Sequence, residues 1–195
     1  MNRKLVVLCA ISAVIGLTGC DAETALDAGP GTDAAPTSDA GMCTGGVVES
    51  DLNGVGPEAW VLAGPGVDPA TGELTPRTEG FVVSSTYLRI RPTGQMRFGQ
   101  LIEPVVGSMM TSPGLLAFAL GSSEECGTAR TMTVWEDEAS MMAFVVGPAH
   151  AAAVSAIAEV SRGDSLVLHW NASTPDDASP SEAVRRIAEY TGPRY

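Results

Sequence analysis

The stretch Thr128-Ala129-Arg130-Thr131-Met132-Thr133-Val134-Trp135, followed directly by Glu136-Asp137-Glu138, decides how this chain is read. Its side chains alternate, with Thr131, Thr133 and Trp135 on one side and Met132 and Val134 on the other, the period of two that defines a strand. The three acids then open a helix, because negative charge complements the positive N-terminal end of the helix dipole. That helix is expected to stop at Gly147 and restart at Pro148, a favourable first-turn residue. It then runs to Arg162-Gly163, a basic last turn with a glycine stop. Working back toward the N-terminus, Pro113-Gly114 turns the chain into a buried strand, Leu115 to Leu120, which a loop from Gly121 to Gly127 joins to the strand already read. Before it, Phe98, Leu101, Ile102, Val105, Val106 and Met109 form a helical stripe in which Pro104 predicts a kink or restart. Phe81 to Ile90 is a strand rich in Val, Thr and Tyr. Ser165 to Trp170 is the fourth, with Leu166, Leu168 and Trp170 on one face. The order β-α-β-β-α-β is that of a split βαβ, an α+β ferredoxin-like domain.

The ends of the chain have a different character. Met1-Asn2-Arg3-Lys4 precedes an apolar or small run from Leu5 to Leu17 and then Thr18-Gly19-Cys20, the pattern of an export signal. As a helix the run would reach only ~20 Å, against a hydrocarbon core of roughly 30 Å, so it is too short for a permanent span. Leu17-Thr18-Gly19-Cys20 closely resembles a bacterial lipobox. That resemblance implies cleavage after residue 19, lipid on Cys20, and a protein of the cell envelope anchored to a membrane and facing the periplasm or exterior; the inner or outer membrane is left open. Residues 21–42 are built from Ala, Asp, Gly, Pro, Thr and Ser, and are expected to form a disordered tether reaching roughly 25 Å. Residues 43–80 are rich in Gly and Pro, with turns at Gly64-Pro65-Gly66 and Asp68-Pro69-Ala70-Thr71-Gly72 and a short strand expected at Ala59 to Ala63. They form a partly ordered approach to the core domain, residues 81–171.

Of 195 residues 23 are acidic and 11 basic, a net charge of −12, and Lys4 is the only lysine. Losing Arg3 and Lys4 with the signal changes −12 to −14. Nucleic acid and a docking surface for anionic lipid are therefore excluded as primary partners. Cys9 falls in the signal and Cys20 carries the lipid, which leaves Cys43 and Cys126 in an oxidising compartment, either paired or as two free thiols. Pairing them would contribute about 4 to 5 kcal/mol in the chain-entropy model. Residues 172–195 read as a linker and a C-terminal helix that packs on the domain. Ser179-Pro180-Ser181-Glu182 is a capping box, Ala183, Val184, Ile187 and Ala188 form the apolar stripe, and Arg185 and Arg186 are expected in solvent.

At Thr133-Val134-Trp135-Glu136-Asp137-Glu138, then Met142-Ala143-Phe144 and Gly147-Pro148-Ala149-His150, the chain resembles the antibiotic biosynthesis monooxygenase superfamily of dimeric α+β barrels. The resemblance covers roughly residues 81–171. It implies a homodimer paired through its sheets, with a small-molecule pocket between each sheet and its helices. It also implies cofactor-independent oxidation of an activated aromatic or, alternatively, a ligand-binding or envelope-interaction module without chemistry. Haem-degrading relatives usually carry a pocket tryptophan and an asparagine. Here Phe144 stands at the tryptophan's place and the first strand offers no asparagine, which counts against haem breakdown and leaves haem binding open; otherwise no cofactor and no metal is implied. The candidate ligand-binding residues are Trp135, Phe144, His150 and Tyr87, with His150 the candidate for catalysis. Apolar residues flanking a strand-helix junction such as Trp135 and Phe144 are more often core, and a His placed like His150 is more often a helix-terminal structural residue. His169 alternates with Ser165 and Val167, away from Trp170, at a solvated or interface position. No Gly-x-Ser-x-Gly elbow or phosphate-cradling loop accompanies these residues.

Overall fold

The alternation read at Phe81–Arg89 produces a strand whose two faces are both put to use, and the rest of the chain divides between them. In a computed structural model that describes residues 43–54 and 60–195, the elements follow as β1 (Asn53–Gly54), β2 (Phe81–Arg89), α1 (Gln95–Met110), β3 (Leu115–Ser123), β4 (Thr128–Trp135), α2 (Glu138–Val145), α3 (Pro148–Ser155), α4 (Ile157–Val160), β5 (Leu166–Ala172) and α5 (Pro180–Glu189). The strands form one sheet in the order β1-β3-β4-β2-β5, every neighbouring pair antiparallel. This is the ferredoxin-like α+β fold, with β1 added outside β3. The expected signal, Cys20 and the tether lie outside the described residues.

Several boundaries differ from the sequence reading for identifiable reasons. β3 runs on to Ser123 because Gly121, Ser122 and Ser123 continue the ladder with β4. Pro104 neither kinks nor restarts the helix: α1 is continuous through it. Pro104 is exposed, so the carbonyl that loses its bond faces water. The second helical region breaks at Gly147 as expected, but breaks again at Ala156, and its last piece ends at Val160. Trp60 to Ala63 does not form the expected strand, and Ala59 lies outside the described residues. Trp60 takes a left-handed backbone (φ 64°), and only Ala63 bridges to Phe118 of β3. The turn at Asp68 to Gly72 forms, with Gly72 at φ 75° and the Asp68 carboxylate accepting from the Ala70 amide at 2.8 Å.

One face of the sheet packs against α1 to α4. Leu115, Phe118 and Trp135 meet Val106, Met109, Met141 and Phe144, while Leu88, Ile90 and Ala129 meet Val160 and Phe98. The opposite face is covered by the chain's own flanks. Leu52, Trp60 and Leu74 pack with Ala178 and Ala183 on Val83, Ala117, Met132 and Val134, and Ile187 of α5 meets Tyr87 and Leu166. The stretch 43–80 is thus bonded to the sheet over its described residues. Gly64 is needed there, because a Cβ would come within 2.6 Å of the Leu116 carbonyl. A face-to-face pairing of two sheets would have to displace this cover.

A buried ion pair fastens it. Arg130 and Glu49 have side chains 0% and 1% exposed, with Nε to Oε2 at 2.6 Å. The guanidinium also donates to the carbonyls of Gly45 (2.8 Å) and Val47 (2.6 Å), and Thr128 donates to Glu49 Oε1 at 2.7 Å. Its other side lies 4.8 Å from the Tyr87 ring centroid. A charged pair survives at this depth only because all these partners are satisfied. Cys43 and Cys126 are joined by a disulfide, and the Tyr87 hydroxyl donates to the Cys43 carbonyl at 3.1 Å.

α5 starts as the sequence predicts, with Ser179 Oγ accepting from the Glu182 amide at 3.2 Å and Pro180 in the first turn. Of its two arginines, both expected in solvent, Arg186 instead lies over the Trp170 ring, 4.9 Å from the centroid. Its aliphatic stem follows apolar surface, and Glu182 holds the head at 2.7 Å. Two arginines on one helix hold the Glu182 carboxyl down at about 2.

Candidate functional site

The site is assembled where β4 hands over to α2. Asp137, an extended residue, caps α2 by accepting from the Ser140 amide at 2.7 Å, which fixes the helix direction just after Trp135. Phe144, near the end of α2, then folds back onto Trp135 with ring centroids 5.4 Å apart and planes 28° from parallel. The break at Gly147-Pro148 brings His150, in the first turn of α3, edge-on to Phe144 at 5.0 Å and 61°. Its Nδ1 lies 3.1 Å from the Val145 carbonyl. That bond places the ring proton of the neutral form on Nδ1 and leaves the Nε2 lone pair available. Burial lowers the His150 pKa; the Val145 bond opposes this, and the nearby His169 reinforces it.

A polar row crosses the same side of the sheet. His169 on β5 stands opposite Ser84 on β2, which in turn stands opposite Thr133 on β4. Thr133 Oγ1 accepts from Trp135 Nε1 at 2.8 Å, tying the row to the aromatic stack. The helices cover β3, β4 and the C-terminal end of β2 but leave the middle of β2 and β5 open: Ser84, Thr86 and Val167 are half-buried, and His169 and Asn171 are exposed. The result is an open polar face, a cleft only in the sense that α2 and α3 rise on one side of it, with β5, the last strand of the sheet, on the other. Partial desolvation lowers the His169 pKa, and the Glu138 charge at the start of α2 works against that shift.

The structure therefore brings together Trp135, Phe144 and His150. Trp135 is 0% and Phe144 9% exposed, so both are packed core behind the cleft rather than free walls of it. Tyr87 is not with them. It is 1% exposed on the opposite face, beneath residues 43–54, where burial and the Glu49 charge raise its pKa. The sequence places His169 at a solvated or interface position, without its neighbours in the polar row. Alternation had placed it away from Trp170, but its neighbour Ser84 is 85 positions away in sequence, and no local pattern pairs them. Among the described residues no three His, Cys, Asp or Glu side chains gather as a metal site, and no helix is long and apolar enough to cross a membrane. Two imidazoles held toward the neutral form beside serine and threonine hydroxyls can accept a proton from a weakly acidic ligand near neutral pH.

The fold and this placement define a ferredoxin-like domain with an open polar face beside its helices. A family model described as antibiotic biosynthesis monooxygenase matches residues 81–156. Among solved structures, it is similar to Rv0793 from Mycobacterium tuberculosis (12% identity, 46% of this chain and 92% of that one, TM-score 0.43). It is also similar to a protein described as an antibiotic biosynthesis monooxygenase (20%, 47% and 97%, TM-score 0.42). A third is SnoaB, a cofactor-independent oxygenase from Streptomyces nogalater (14%, 48% and 93%, TM-score 0.40). A comparison with curated proteins finds no match.

Proposed function

We propose that this chain is an exported lipoprotein, anchored through lipid on Cys20, whose domain binds a small aromatic molecule in the cleft and oxidises it without a cofactor. The observation that carries the reading is the placement of two imidazoles, His150 and His169, both shifted toward the neutral form, on one open polar cleft. A phenol-like ligand would lie on the Ser84–Thr133 row and pass its hydroxyl proton to His150 Nε2. The resulting anion supplies the electron pair that reduces O2: one oxygen atom enters the ring as a carbonyl in place of a C–H, and the other leaves as water. The protein's share is to take the proton and hold the ring.

1-Naphthol is a suitable probe, its oxidation to the quinone consuming one O2 and releasing one water. The reading predicts protein-dependent O2 uptake that His150→Ala and His169→Ala each reduce at least about tenfold. Uptake unchanged in both variants would contradict it. The packed Trp135–Phe144 stack supports a second reading, in which the domain binds a ligand, haem included, or an envelope partner without chemistry. The stack occupies the space beside His150, so a planar macrocycle would have to bind in the open half of the cleft. A Soret shift with haemin that is lost in His150→Ala, with no O2 uptake, would favour that reading. The anchor has its own test: Cys20→Ser should move the protein from the membrane to the soluble fraction.

A further inference from the structure

The cover over the sealed face does not close completely where α5 meets β5. Leu168 and Trp170 point to that side of the sheet, while His169 between them belongs to the polar row, so the strand itself separates this place from the two imidazoles. Between β5 and the second half of α5 lies a cavity of about 330 Å³, with Leu168, Trp170 and Tyr190 as its apolar border and Arg186 and Glu189 as its charged one. Its walls are held in place. Trp170 is 9% exposed and donates from its indole to the Asp177 carbonyl at 2.8 Å. Tyr190 packs against its own chain: a Cβ at Gly192 would come within 2.5 Å of the ring, so glycine is what lets the tail pass. Ser165 and Tyr195 then tie the tail down, their backbones exchanging two bonds of 2.9 Å.

The two arginines of α5 differ in what they leave open. Arg185 gives all three nitrogens to glutamates, Nε and Nη2 to Glu182 and Nη1 to Glu189. Arg186 is bonded through Nε alone, to Glu182 at 2.7 Å, and lies on the Trp170 ring; its Nη1 and Nη2 have no partner among the described residues. Neither has Glu189 Oε1, since Arg185 takes Oε2. The two open groups sit three positions apart on α5, the spacing that sets side chains next to one another on a helix. We propose that the cavity binds an apolar α-amino acid, with its carboxylate on the Nη1–Nη2 fork of Arg186, its ammonium on Glu189 Oε1, and its side chain against Leu168, Trp170 and Tyr190. Charge balance requires both ends of such a ligand. Arg185 and Arg186 against Glu182 and Glu189 sum to zero, and the Glu182 carboxyl, held at about 2, stays ionised. A ligand with one charge would leave the site unbalanced, and a simple anion is further repelled by a chain of net charge −12. A zwitterion adds no net charge and answers both open groups. The volume admits only a compact molecule, being near the small end of the roughly 300 to 1,000 Å³ of ligand pockets. Because Glu182 and Trp170 already seat the guanidinium, little of its freedom is lost on binding.

L-Leucine is the probe, with two analogues that each lack one charge: 4-methylpentanoate, without the ammonium, and 3-methylbutylamine, without the carboxylate. In an NMR titration of the full chain in detergent, leucine at about 0.1 to 10 mM should shift the Trp170 indole N–H signal saturably, while the Trp135 signal on the other face stays fixed. Each analogue should bind at least about tenfold more weakly than leucine, and Arg186→Gln should weaken leucine by a similar factor while leaving 3-methylbutylamine unaffected. Should that variant misfold, the two analogues on the unaltered chain decide, together with Glu189→Gln, which should weaken leucine and leave 4-methylpentanoate as it was. The absence of a saturable Trp170 shift up to about 10 mM, or a Trp135 signal that moves in step with it, would overturn the proposal. So would an analogue that binds as tightly as leucine, or a leucine affinity unchanged in the folded variants. None of these readouts involves O2 or the two imidazoles, so a failure here leaves the oxidation reading standing, and the reverse.

Discussion

The two faces of this sheet are finished in different ways. One is sealed: residues 43–54 and 60–80 and α5 cover it, and a disulfide and a fully buried Arg130–Glu49 pair fasten the cover. The other is covered by helices over β3, β4 and the C-terminal end of β2 and left open over the middle of β2 and β5, where Ser84, Thr86, His150 and His169 meet solvent. The comparison teaches that polar side chains serve opposite purposes according to whether their partners are complete. Each of the three Arg130 nitrogens donates to a partner, and the side chain contributes rigidity. His150 has one nitrogen occupied by Val145 and the other available for a ligand. A closed network holds structure, and an incomplete one can do chemistry.

The comparison can be broken most forcefully on the sealed side. Glu49→Ala leaves a buried guanidinium without its acid, and chemical denaturation should show a loss of about 3 to 5 kcal/mol. Replacing the pair together, Arg130→Met with Glu49→Leu, should recover most of that loss. Next in size, Cys126→Ser opens the link between the cover and the β3–β4 turn and should lower stability by about 2 to 4 kcal/mol, measured in the same way. Ile187→Val thins the contact of α5 with Tyr87 and Leu166 and should cost about 0.5 to 1.5 kcal/mol. On the open side His169→Gln should change stability by no more than about 0.5 kcal/mol, yet weaken 1-naphthol binding in a fluorescence titration. The smallest effect is one of pH. Both histidines have folded pKa values below the ordinary 6.5, so the unfolded chain takes up their protons more readily. The stability they confer is complete above about pH 6.5 and falls as pH drops below it. Melting temperatures at pH 7.5 and 5.5 should show this slope in the native chain and a shallower one in the double His→Gln variant.

Much of the core was legible in the sequence because its signals are local. Alternation at Thr128 to Trp135 gave the strand at its observed bounds, the acids after it marked the next helix, and Ser179-Pro180 announced α5. The row of Trp135, Phe144 and His150 was also within reach, since one strand, one helix and one break connect them. What stayed hidden depends on residues far apart in the chain. Glu49 and Arg130 are separated by 81 positions, and neither carries a local mark of burial. Tyr87 reads as a polar aromatic beside arginines; only the arrival of residues 43–54 shows that it faces the sealed side. Trp60 belongs to an apolar run that suggests a strand, but it takes a left-handed backbone, and its indole donates to the distant Pro180 carbonyl at 3.3 Å. His169 was placed on its correct face by alternation, while its neighbours came from two other strands and two helices.

The most direct test of the open face is a pH titration of the His150 and His169 ring signals by NMR, under argon, with and without 1-naphthol. The account predicts that both rings titrate below pH 6.5 in the free protein and that 1-naphthol shifts both signals, leaving Tyr87 on the sealed face unchanged. Midpoints at or above 6.5 for both histidines, with ring signals unmoved by 1-naphthol, would contradict it.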